Sequence, residues 1–426
     1  MSTSPAKVPP KSLLDRRARD WINGFVLLGV LVGLLGSLVI AWQYHLDTDP
    51  QVIGLHFLAL NAGYVIAAAI AQRAMVRISI RAVALAACAI GFLALAGLSF
   101  AVPPVSPVLR IVGLGLVGLS GGALATALLY ALEYYFREAP AALANLAGLL
   151  LGCGCLVSTV MVGITYFAGS VQIETALLAL VPLIYFVLYL GNKFPPALVP
   201  VGSREQENKI RATLRDLRSV AGVLFGLLLF FQFGNEWAIA GWLPLFLVHR
   251  LGANPVWAIF ALALYFLALT LGRLIAQRNL ARIRHRRLLV GSTVAAMAGY
   301  LLLSFTTSLI AASIAAVIIG AAFAPIYPLV AESLDDRFSY HPGFYNGIFS
   351  IAITGGMSTP WLLGYVDSYL GTRYVMLLPA FGSIAVLVLV LLIMLEARLM
   401  SGKAETGDPP QLSAAPIGRA AVTGKH

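Results

Sequence analysis

The sequence predicts an all-α membrane protein with twelve transmembrane helices arranged as two pseudo-symmetric six-helix bundles. Three observations carry that expectation. The 426 residues are 60% hydrophobic and 11% charged, with mean hydropathy +0.88, more apolar surface than a soluble globular chain hides. The apolar residues gather into twelve runs, each near the ~20 residues that cross a ~30 Å hydrocarbon core. Finally, 26 of the 29 Lys and Arg residues fall on one side of the resulting alternation.

In chain order, residues 1–20 form a polar, basic tail. The run after it is of spanning length, longer than the apolar core of a cleavable signal, so a retained span is expected. The first six runs are Trp21–Gln43, Val52–Ala74, Ala82–Val102, Leu109–Leu132, Leu143–Ala168 and Ile173–Leu190. They make a first bundle over residues 21–191. A linker over 192–219 follows, with Pro195, Pro196 and Pro200 and then a mixed-charge stretch suited to a short surface helix. The second bundle, 220–397, holds Val220–Val248, Val256–Gln277, Leu288–Phe305, Ser308–Ala331, Phe344–Val366 and Tyr374–Leu395. The tail 398–426, rich in Gly, Ala, Pro and Lys, reads as disordered.

Charge placement gives the orientation. The two tails, the linker and the loops at Arg73–Arg81, Arg137, Arg273–Arg287 and Arg337 hold the basic residues, leaving only Arg110, Arg250 and Arg373 opposite. Both termini are therefore expected in the cytoplasm of a cell-membrane (inner or plasma) protein. The net charge of +11 is explained by topology, and no nucleic-acid partner is expected. Cys88, Cys153 and Cys155 all sit in apolar runs, and packing is their expected role. Cys153 and Cys155 point to different sides of a helix and make no metal pair.

The chain also repeats itself. Ile70–Arg81 reads IAQRAMVRISIR and Ile275–Arg286 reads IAQRNLARIRHR, with seven of twelve positions identical at an offset of 205 residues. Each copy ends the second span of its half. Parallel halves of six spans are a transporter architecture, with the substrate site at their interface near the midplane.

The stretch Phe230–Leu247, FFQFGNEWAIAGWLPLFL, carries Glu236 deep inside a spanning run, and no other Asp or Glu lies near the middle of any apolar run. A carboxyl in lipid costs several kcal/mol unless neutral, paired or facing water, so it is a functional candidate, with a permanently hydrogen-bonded structural carboxyl as the alternative. Gly234, Gly241 and Pro244 are expected to loosen this helix around a cavity. Gln232 and Glu236 share a face at i, i+4, and with Asn235 they supply the amides and carboxyl that a hydroxyl-rich solute demands. Trp237 and Trp242 are candidates either for stacking platforms under a sugar ring or for lipid-facing interface anchors, the anchor favoured for Trp242 near the outer end. Further polar candidates are Asn61, Tyr64, Thr126, Tyr130 and Asn145 in the first half. In the second half they are Tyr265, Tyr327 and the stripe Asn346, Ser350 and Thr354, spaced by four, which either lines a cavity or joins two helices. Pro325 and Pro328 are expected to break the tenth span as a gating element. Arg73 and Arg273 are gating candidates at the basic ends of their spans. Arg273 is expected either to meet Glu332 or Asp335 or to extend toward headgroups. Glu133, Glu174, Glu332 and Asp367 lie at span ends, where solvated or paired roles are expected.

Taken over Trp21 to Arg398, the chain resembles the major facilitator superfamily, and within it the fucose-permease type of sugar–proton symporters. The residues are GVLVGLLGSLV (Gly29–Val39) with QVIGLHFLALNAGY (Gln51–Tyr64), ALANLAGLLLGCG (Ala142–Gly154), and FFQFGNEWAIAGWLPLFL. GRLIAQR (Gly272–Arg278), AAFAPIYPLV (Ala321–Val330) and GGMSTPWLLGYV (Gly355–Val366) complete the set. The resemblance implies acids in the first and fourth spans for proton coupling; Leu28–Ile40 and Gly121–Leu132 contain none. No H-E-x-x-H, G-x-S-x-G or P-loop motif occurs. Neither an enzyme activity nor a cofactor is expected. The leading expectation is a proton-coupled secondary transporter of a small polar solute, a sugar or sugar derivative, acting as a monomer by alternating access. A proton-antiport exporter of amphipathic compounds would instead show a cavity lined by aromatics and aliphatics. A non-transporting receptor or scaffold is the third reading.

Overall fold

A computed structural model describes residues 16–138, 140–169, 171–195, 211, 213–279, 285–335, 337–338 and 342–406. Every regular element among them is helical. The first span is two helices, α1 (Arg16–Gly33) and α2 (Leu35–Ala41), bent by 41° at Leu34. There is no proline at the break. The Ser37 hydroxyl donates instead to the Leu34 carbonyl at 2.9 Å, competing with the ladder beside Gly33 and Gly36. A turn, α3 (Tyr44–Asp47), follows. Asp49 then caps α4 (Pro50–Arg77), accepting from the Gln51 N–H at 2.8 Å with Pro50 at the first helical position. Next come α5 (Ile80–Leu98), α6 (Pro107–Ala131), the short α7 (Glu133–Glu138), α8 (Pro140–Phe167) and α9 (Val171–Gly191).

The second half runs α10 (Val220–Leu251), α11 (Pro255–Asn279), α12 (His285–Phe305), α13 (Leu309–Phe323), α14 (Ile326–Asp335), α15 (Pro342–Leu370) and α16 (Leu377–Thr406). The ladder does break before Pro325, so α13 and α14 share the tenth span. The seventh span does not: α10 is one helix of 32 residues with Pro244 inside it. Of the mixed-charge linker stretch, residues 213–218 are helical and 196–210 lie outside the described residues, as does the tail from 407.

Ten of these helices are long and apolar enough to cross a membrane, and the bent α1–α2 pair makes an eleventh. The twelfth crossing helix, α15, is long enough at 29 residues but carries Asn346, Ser350, Thr354, Ser358 and Thr359. The packing explains the polarity: its largest contacts are with α10 and α4, helices of both halves, rather than with lipid.

Neighbour relations repeat at an interval of six spans. In the first half α4 packs on α6, α1 on α8, α5 on α6 and α5 on α9; in the second, α11 packs on α13, α10 on α15, α12 on α13 and α12 on α16. The bundles meet through α4 against α15, α8 against α11, and α2 against α10. At the last contact a Cβ on Gly36 would stand 1.9 Å from the Ala240 carbonyl oxygen, so the absent side chain is what lets the two backbones touch. Further contacts close the same end, away from exposed Arg73, Arg77 and Arg137. The His249 ring bonds the His45 carbonyl at 3.0 Å, and Gln51 donates to Ser368 at 3.1 Å.

Candidate functional site

Between the bundles lies a cavity of about 790 Å³, its open mouth included. It reaches from Trp237 and Ala240 on α10 to Phe136, Ala144 and Tyr345 toward the basic face. Helical periodicity selects the α10 residues that line it: Phe233, Glu236, Trp237 and Ala240 recur at i, i+3, i+4 and i+7. Asn235 falls on the opposite side of the helix. There its amide donates to Ser383 of α16 at 3.5 Å, and its carbonyl accepts from the Tyr300 hydroxyl.

Glu236 and Arg273 are the only charged residues among the 21 that line the cavity, and they bond each other. Arg273 Nη2 donates to Glu236 Oε1 at 2.7 Å, and each side chain is only 6% exposed. Arg273 Nη1 donates to the Gly148 carbonyl at 2.9 Å. The guanidinium thus links α11 and α10 of one bundle to α8 of the other. Its third donor nitrogen, Nε, is buried with no hydrogen-bond partner among the described residues. Below it the Tyr327 ring lies 5.7 Å from the guanidinium carbon, and Phe233 meets that ring edge-on at 6.2 Å. Tyr265 donates to the Glu236 carbonyl at 3.1 Å. Two glycines of α8 make room for this cluster: a Cβ on Gly148 would stand 2.8 Å from the Tyr327 ring, and one on Gly152 would stand 2.8 Å from Thr270 Oγ1.

Of the sequence candidates, Glu236, Trp237, Tyr265, Tyr327 and Arg273 come together here. Arg273 takes neither expected course. Its partner is Glu236, and the side chain reaches inward rather than toward headgroups, where Nη2 meets the Glu236 carboxylate and Nη1 the Gly148 carbonyl. Gln232, Asn235, Asn61, Tyr64, Thr126, Tyr130, Asn346 and Ser350 do not line the cavity. Among the described residues Gln232 is buried with both amide atoms unpartnered, and so are Asn61 Oδ1 and the Tyr64 hydroxyl. Thr126 donates to Asn346 Oδ1 at 3.1 Å, so the top of the α15 stripe joins helices across the two halves. Thr354 and Ser350 bond within α15. Tyr130 is half-buried at the α6 end, and Arg73 is exposed on the basic face. Pro325 and Pro328 are buried at the α13–α14 break beside Tyr327.

Two span-end expectations change. Trp242 is fully buried and donates to the Pro360 carbonyl at 2.8 Å, so it is a packing residue and not an interface anchor. Glu174 is 1% exposed, and neither carboxyl oxygen has a hydrogen-bond partner among the described residues. Cys155 lines the cavity as well as packing, its thiol 3.4 Å from the Gly29 carbonyl. Glu133, by contrast, pairs with Arg137 one turn on, and Asp367 accepts from Thr372 at 2.6 Å.

The lining departs most from expectation in chemistry. Nine of its 21 residues are aromatic and none is Asn, Gln, Ser or Thr. The sequence held a clue in Phe25, Phe233 and Phe349, but aromatic residues in spans are too common to select from a linear pattern.

The model of the Major Facilitator Superfamily matches residues 21–359, most of the chain. The chain belongs to that superfamily. No curated protein matches it in sequence. Among solved structures it is similar to FucP in the outward conformation, at 21% identity and TM-score 0.65 over 90% of this chain and 99% of that one. It is also similar to the xylose transporter XylE of E. coli in a partially occluded inward-open state, at 13% identity and TM-score 0.70 over 87% and 95%. The nucleoside transporter NupG gives 13% identity and TM-score 0.68 over 88% and 99%. Identities this low show the shared fold. The chain is therefore a multi-pass membrane protein with the twelve-helix architecture of this transporter superfamily.

Proposed function

We propose that this superfamily member is a proton-coupled secondary transporter working by alternating access around Glu236 and Arg273. The observation that carries this reading is the buried ion pair, because Arg273 also holds the opposite bundle through Gly148. Protonating Glu236 removes the anion that positions the guanidinium. The same event therefore changes the charge of the cavity and loosens a bond between the halves. With the basic face assigned to the cytoplasm, the cavity opens inward and the contacts at Gly36, His45 and Gln51 form the closed outer gate.

The lining is the aromatic and aliphatic one expected of a transporter of amphipathic compounds rather than of sugars, and it supports a small organic solute with an apolar or aromatic body. A sugar needs paired donors and acceptors around its ring, and the expected amides face elsewhere. FucP and XylE are described as fucose:proton and xylose transporters, which supports coupled transport without fixing this chain's solute.

The test is uptake by proteoliposomes under an imposed pH gradient. Glu236→Gln is expected to abolish accumulation while leaving solute exchange measurable. Undiminished acid-driven accumulation by that variant would sink the coupling role.

A further inference from the structure

Resting on the reading above, we infer that the transported solute is an organic anion, a monocarboxylate with an apolar or aromatic body, which replaces Glu236 on Arg273 when Glu236 takes up a proton. Charge balance in this apolar cavity selects the solute. The cavity holds one carboxylate and one guanidinium, so its net charge is zero when Glu236 is ionised. Arg stays protonated throughout. Adding one proton to Glu236 leaves an uncompensated guanidinium in an apolar cavity, which only an anion neutralises. A neutral solute leaves the charge standing, and a cation increases it.

Among the described residues the surroundings supply no other counter-charge. Glu236 faces Arg273 and Tyr265 of α11, Tyr300 of α12, Tyr327 of α14 and Cys155 of α8; none of these is a carboxylate or a histidine. Arg273 has donor capacity to spare, since buried Nε has no partner while Nη1 and Nη2 each hold one oxygen. A planar carboxylate matches that fork. Around it Phe25, Phe233, Trp237, Phe266 and Phe349 line the space a solute body would fill, and apart from the single indole N–H of Trp237 they offer rings for stacking rather than hydrogen bonds to hydroxyls.

The exchange balances. One proton moves from water to Glu236, the Glu236–Arg273 ion pair opens, and one solute carboxylate forms the replacement pair. The loaded cavity is again neutral, as the empty one was. Return of the proton to the cytoplasm re-forms the original pair and expels the anion.

The experiment is titration calorimetry on the purified full chain with benzoate, benzyl alcohol and benzyltrimethylammonium, in buffers of different ionisation enthalpy so that protons are counted. Benzoate is expected to bind with uptake of one proton, and its affinity to rise about tenfold per pH unit of acidification while Glu236 is ionised. The alcohol and the cation are expected to bind at least about tenfold more weakly. Glu236→Gln should keep benzoate and lose proton uptake, and Arg273→Gln should lose benzoate. If Arg273→Gln does not fold, Glu236→Gln/Arg273→Gln, which removes both charges, should fold and not bind benzoate. Benzyl alcohol or the cation binding as tightly as benzoate overturns the proposal, as does benzoate binding without proton uptake or no benzoate binding at all. Gradient-driven accumulation of a neutral solute alongside any of these results leaves the transport reading standing and removes only the anion. Failure of a pH gradient to drive any solute removes both.

Discussion

Truncating Glu236 would strand a buried guanidinium, and removing one member of a buried pair costs about 3–5 kcal/mol. Glu236→Ala is therefore expected to lower the unfolding midpoint in detergent sharply. Glu236→Gln, whose amide oxygen still accepts from Arg273, should lose less. Replacing both, as Glu236→Leu/Arg273→Met, should recover most of the loss. An Ala variant as stable as wild type would show that the pair does not persist in the folded protein. Glu236 was legible in the sequence because a lone acid in an apolar run has one physical meaning. Its partner was not, because an Arg side chain near a span end reaches either way, and only the neighbouring helix decides which. Asn235 marks the other limit of that reading. It neighbours Glu236 in the chain, yet a turn of 100° per residue sends it to another face of α10, while Gln232, on the same side as Glu236 one turn away, still stays off the cavity lining.

Helices register these effects as packing and break points. Pro325 and Pro328 announced the break between α13 and α14, since a missing N–H and a ring clash act locally. The bend at Leu34 gave no such signal, because it depends on Ser37 and on how close α2 must come to α10. The same end carries a titratable contact in α3. Burial first, then the neighbouring His249, holds the His45 imidazole below its ordinary value of 6.5. A histidine whose folded pKa is depressed leaves stability intact above the unfolded value, and that stability falls as pH drops from there toward the folded pKa. Closure at this end should therefore weaken on acidification below about pH 6.5. Spin labels at exposed Leu46 and Tyr369 should report longer separations at pH 5 than at pH 7.5, and His45→Gln should flatten the response. Unchanged distances in the wild-type background would remove His45 from the gate. At the other close approach, Gly152→Leu should push α8 from Thr270 and Arg273. Overpacking of this kind costs about 1–3 kcal/mol, and thermal unfolding would read it.

The whole molecule behaves as two bundles in contact at a few backbone points, and Gly36 against Ala240 is the tightest of those at the closed end. Gly36→Val penalises the closed arrangement alone. A differential cost of about 1–3 kcal/mol shifts a two-state population by about 5- to 150-fold, so the Leu46–Tyr369 label distance should lengthen at neutral pH and transport should fall. A wild-type distance distribution would mean that α2 is not part of the gate. Twelve spans, two halves and the face that carries the basic loops were determined by the sequence alone, because hydropathy and charge placement act on each segment independently of its neighbours. The tertiary structure alone decided which side chains meet. It brought Glu236, Arg273 and Gly148 from three helices to one point, and it turned the amides away from a cavity lined with aromatic rings. Contacts of that kind depend on helix rotation and on distances between segments far apart in the chain, which no local pattern encodes.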